Sequence, residues 1–139
     1  MQQTRHTLSE KLLATFFVVG GTLHFIFPRT YAHIIPPWIP QPLLMVWISG
    51  VCEIAGGLGV LQARLQRAAG YGLIVLSLAV FPANVQMFLN AHAADHSIAA
   101  QALLLLRLPL QIPLIYWIWR TTVMRPSDTP MPALQRMRP

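Results

Sequence analysis

One cysteine, Cys52, and only four acidic residues occur in this chain of 139. A lone thiol excludes an internal disulfide, a CxxC redox pair and a thiolate-held metal cluster built from a single chain. Charged residues make up 10% of the sequence, whereas soluble domains usually carry about a quarter; 55% of the residues are hydrophobic. Gly-rich phosphate-binding motifs, tandem repeats and linkers long enough to separate domains are also missing, so the composition points to one membrane domain. The net charge of +6 does not signal nucleic acid, because the basic residues stand at the ends of apolar stretches and form no single patch.

Four such stretches fill most of the chain: 8–27, 43–61, 68–91 and 98–119. At roughly 20 residues each they match a hydrocarbon core about 30 Å thick. The pattern predicts an all-α protein, an integral membrane four-helix bundle occupying 1–120. The basic start and apolar run of the first stretch are read as a retained helix, since 30–32 is a poor signal-cleavage site. Arg5, Lys11, Arg64, Arg67, Arg120, Arg125, Arg136 and Arg138 all fall on one side, and only Arg29 falls on the other. The positive-inside rule therefore predicts both termini in the cytoplasm, in a multi-pass protein of a bacterial inner membrane. The basic, Pro-rich tail 121–139 is expected to be cytoplasmic and disordered, close to the anionic leaflet.

Five of the twelve prolines lie in 28–42 together with Tyr31, Ile34, Ile35, Trp38 and Ile39. The segment cannot be a continuous helix, yet it is too apolar for a solvated loop, and it is expected either to cap the outer end of the bundle or to rest on lipid. Ser49, Cys52, Gly56 and Gly59 form a small-residue stripe of the kind that packs membrane helices. Pro82, Pro109 and Pro113 interrupt the later stretches and free carbonyls that need other partners.

Each stretch carries one polar residue where lipid tolerates none: His24, Glu53, Asn84 and Arg107. A charge at the bilayer centre costs roughly 2.5 to 3.5 kcal/mol on insertion scales, so Glu53 and Arg107 require compensation. Counting 1.5 Å per helical residue from the outer ends puts His24 about 5 Å deep, Asn84 about 10 Å, Arg107 about 14 Å and Glu53 about 16 Å. A four-helix bundle brings these residues to a common axis, in a pocket open to the outside. Gln111 continues the Arg107 face, while Ser77 and His92 share the Asn84 face as further lining. A midplane ion pair between Glu53 and Arg107 is the simplest account of the two charges. His92 and His96 flank Asp95 without an evident third ligand, so no metal site is expected.

The runs GGTLHFIFP, SGVCEIAGG, VFPANVQMF and LRLPLQIPL hold these four residues in the order His, Glu, Asn, Arg. In this the chain resembles the DoxX-like family of small four-helix bacterial membrane proteins, over about 12–119. The resemblance implies an accessory membrane subunit of a redox complex, as in thiosulfate:quinone oxidoreduction, with His24, Glu53, Asn84 and Arg107 as the matching positions. No haem-ligand histidine pair, flavin motif or dinucleotide motif is present, so a redox role needs a partner protein or a quinone. The expected function is binding of a quinone or a similar lipophilic small molecule. A small-solute or proton transporter and a purely structural membrane subunit are the alternatives. The almost wholly apolar sequence on the cytoplasmic side of Glu53 and Gln111 speaks against transport.

Overall fold

Thr7 starts the first helix by closing a capping box. Its hydroxyl accepts the Glu10 backbone N–H at 3.3 Å, and the Glu10 carboxylate accepts the Thr7 N–H at 3.1 Å. The computed structural model describes residues 6–124. Within them the order is α1 (Leu8–Ile26), α2 (Pro28–Ala32), α3 (Pro42–Val60), α4 (Gln66–Ala93) and α5 (Ile98–Thr122). Among the described residues there is no strand.

Prolines set the breaks between the early helices. Pro28 occupies the first turn of α2, where its missing N–H costs nothing, and Pro42 does the same for α3. Gln41, between Pro40 and Pro42, takes a left-handed conformation at φ 52° to turn the chain into α3. Ser97 caps α5 by accepting the Ala100 N–H. Pro82, Pro109 and Pro113 lie inside α4 and α5 without ending either helix.

Three helices are long and apolar enough to cross a membrane: α3, α4 and α5. Together they make this a multi-pass membrane protein by length and composition. Helix α1 has the 19 residues of α3, but Glu10, Lys11 and His24 lower its hydropathy, and it is not among the three. Helix α5 continues to Thr122, so the start of the tail expected at 121 is still helical. The expected disorder from 125 onward, and the basic residues Arg5, Arg125, Arg136 and Arg138, lie outside the described residues.

Helix α1 packs chiefly on α3, α4 on α5, and α3 joins the two pairs. The α1–α3 crossing brings backbone to backbone: a Cβ on Gly21 would meet the Gly50 carbonyl oxygen at 2.6 Å, and one on Gly50 would meet the Gly21 carbonyl oxygen at 2.9 Å. Between lipid-embedded helices there is little hydrophobic drive to associate, so such close van der Waals contact carries the packing. The expected small-residue stripe is redistributed. Gly56 and Gly59 face Leu73 and Ala69 of α4, whereas Cys52 is exposed.

The tightest core sits at the end of the bundle where α1 begins and α5 ends, and there Leu13, Phe17, Val60, Leu73 and Ile118 are buried. Here α1 also meets α5. The Ser9 and Thr121 hydroxyls are 2.9 Å apart, and Trp117 Nε1 donates to Ser9 Oγ at 2.9 Å. Away from this end the two helix pairs separate. Many large apolar side chains point outward, Val75, Leu103 and Ile112 among them, as a lipid-facing surface requires.

Candidate functional site

The separation of the pairs leaves a cavity of about 540 Å³ above the buried core. Helices α1 and α3 form one wall and α4 and α5 the other. Ile34, Ile35, Pro36 and Ile39 from the proline-rich segment close the far end. The proline-rich segment thus covers one end of the cavity, while its Trp38 stays exposed. Asn90 of α4 helps hold it by donating to the His33 carbonyl at 2.9 Å.

His24, Glu53, Asn84 and Arg107 all line this one cavity, with Gln111 and Ser77 beside them. On the first wall, His24 Nδ1 lies 3.0 Å from the Gly20 carbonyl oxygen and 3.5 Å from Glu53 Oε2. Gly20 makes this possible, since a Cβ there would stand 3.1 Å from Glu53 Oε2. The other face of the imidazole is covered by Tyr31, with ring centroids 4.2 Å apart and an interplanar angle of 30°. From the sequence Tyr31 reads as part of the proline-rich segment and not as a site residue. Its signal was weak, because only the return of α2 over the end of α1 brings it back onto His24.

On the second wall, Asn84 Nδ2 donates to Gln111 Oε1 at 3.3 Å, and Gln111 Nε2 donates to the Ser77 carbonyl. That carbonyl is one residue before the one Pro82 leaves without a helical donor, so the side-chain bond supports the backbone where the helix is weakened. The Ser77 hydroxyl turns back to the Leu73 carbonyl at 2.8 Å.

Two expectations are corrected. Glu53 and Arg107 do not form a direct ion pair. The carboxylate is held by His24, and Arg107 Nη1 points at the Met87 sulfur, 3.8 Å away. A thioether is a weak acceptor, so among the described residues most of the guanidinium's five donors are unspent. Arg107 is exposed at the cavity rim. His92 does not line the cavity either. It is exposed, 3.0 Å from Gln101 Oε1 and stacked on Phe88. Its helical face was read correctly, but it lies two turns beyond Asn84, past the cavity's edge.

Among the described residues the cavity does not continue toward the end where α1 begins and α5 ends. Beneath Ser77 and Gln111 the space is filled by Leu13, Phe17, Leu73, Leu114 and Ile118. Its rim includes Phe16, Ile48 and Leu110, each about half exposed on the lipid-facing side. Among the described residues no three His, Cys, Asp or Glu side chains gather as a metal site. A mostly apolar chamber with a few convergent polar groups suits a small lipophilic molecule with a polar end.

Residues 13–122 match the family described as Domain of unknown function (DUF8561), and the chain belongs to that family. No curated protein and no solved structure matches it significantly.

Proposed function

We propose that this DUF8561 protein spans a bacterial inner membrane four times with both termini in the cytoplasm, and that it binds a quinone or a similar lipophilic molecule as an accessory subunit of a membrane redox complex. Helix α1 supplies the fourth span. It is as long as α3 and lies against it along a glycine-lined seam, and the charges that lower its hydropathy sit near its two ends. The redox setting rests on the resemblance to DoxX-like proteins.

One observation carries the binding function: four polar residues from four helices converge on a single chamber that is otherwise apolar and closed below. A volume of about 540 Å³ is in the range of small-molecule sites and accommodates a substituted six-membered ring with the first part of a prenyl chain. The half-exposed rim of Phe16, Ile48 and Leu110 lets such a chain extend into lipid. The floor disfavours transport, because among the described residues an apolar layer of Leu13, Phe17, Leu73 and Ile118 lies beneath Gln111.

The test is mass spectrometry of organic extracts from gently solubilised, purified protein. A quinone recovered at close to one per chain is the expected result. Recovery of bulk phospholipid alone, in the proportions of the membrane, would refute the assignment.

A further inference from the structure

One nitrogen of His24 is spent and the other is free. Nδ1 faces the Gly20 carbonyl oxygen at 3.0 Å and Glu53 Oε2 at 3.5 Å. A carbonyl oxygen only accepts, so Nδ1 carries the proton and the neutral ring keeps its lone pair on Nε2. Among the described residues Nε2 has no partner, and the ring lines the cavity with its orientation held by the Tyr31 stack. An oxygen behind one imidazole nitrogen and an open lone pair on the other is the arrangement that orients a histidine to accept a proton donor.

The opposite wall is of the other kind. Gln111 has its amide group engaged at both ends within α4 and α5, which leaves Arg107 as the main source of unspent donors. The cavity therefore presents an acceptor from α1 and donors from α5, with the Tyr31 hydroxyl of α2 as a further polar group. A quinone carries only acceptor oxygens, so one of its carbonyls would meet His24 Nε2 lone pair to lone pair. A quinol satisfies both walls, because each hydroxyl can donate or accept.

Building on the quinone reading, we propose that the site selects the reduced, hydroxyl-bearing form: one quinol O–H donates to His24 Nε2, and the second ring oxygen is turned toward Arg107. Glu53 is a positioning residue that keeps the proton on Nδ1.

The experiment uses the full chain in lipid nanodiscs under anaerobic conditions, with three probes: a decyl benzoquinol, the matching decyl benzoquinone, and the bis-methyl ether of the quinol. The quinol is expected to bind roughly tenfold tighter than either of the others, the size of effect one hydrogen bond supplies. His24→Phe, which keeps a ring to stack on Tyr31, should abolish the preference, and His24→Gln, which restores an acceptor, should recover part of it. If His24→Phe does not fold, the comparison of quinol with quinone in the unaltered protein decides. Equal affinity for quinol and quinone, or a preference that survives His24→Phe, overturns the selection of the reduced form and leaves a quinone site standing. Failure of all three probes to bind overturns both.

Discussion

Asn84 and Gln111 join the two proline-containing helices at the floor of the cavity: Asn84 Nδ2 donates to Gln111 Oε1 at 3.3 Å, and Gln111 passes a further bond to the Ser77 carbonyl. Gln111 is buried, so its amide group has no water to fall back on. Its removal strands a donor on Asn84 and takes the side-chain bond away from the Ser77 carbonyl beside the proline break. Gln111→Leu should therefore lower stability in detergent by about 1 to 3 kcal/mol despite the gain in apolarity. Unfolding followed by circular dichroism measures this, and an unchanged or raised midpoint would show that the network contributes nothing.

Glu53 takes its direct partner from α1 and not from α5, and this has a measurable signature. A double-mutant cycle of His24→Ala with Glu53→Gln should give a coupling of about 0.5 to 3 kcal/mol, as groups in contact do. The cycle of Glu53→Gln with Arg107→Gln should give a clearly smaller value, since the guanidinium lies against Met87 and the carboxylate against His24. The reverse ranking would restore the direct carboxylate–guanidinium pair.

The α1–α3 seam tolerates no added atoms where the two backbones touch. Gly50→Val should lose about 1 to 3 kcal/mol or more, because its Cβ would collide with the Gly21 carbonyl and with His24. Gly72 is the control: nothing stands within 4 Å of a Cβ there, so Gly72→Ala should be neutral or stabilise by up to about 1 kcal/mol through helix propensity. Thermal unfolding of the two variants side by side checks the contrast. Equal losses would remove the seam from the account.

The proposed orientation rests on the charge bias. Reporter fusions after Arg64 should behave as cytoplasmic, and fusions near Arg29 and Asp95 as periplasmic. A cytoplasmic reporter at Asp95 would be incompatible with four spans.

Helical class, the three most apolar spans and the identity of the polar residues that share a cavity were legible in the sequence. These depend on local quantities: the length of apolar runs, the cost of a charge in lipid, and the helical spacing that puts Gln111 on the Arg107 face and Ser77 on the Asn84 face. What the sequence could not decide was which of those residues touch. Depth alone made Glu53 and Arg107 look like partners, but pairing depends on the rotation of each helix about its own axis, and that is set where backbones meet. The contact of Gly21 with Gly50 turns α1 so that His24 reaches Glu53, and the missing side chain at Gly20 leaves room for the carboxylate. The return of α2 over His24, the sealing of the lower half by Leu13, Leu73 and Ile118, and the exclusion of His92 likewise follow from how the helices pack. Local chemistry determined which residues need one another, and only the tertiary packing decided which of them meet.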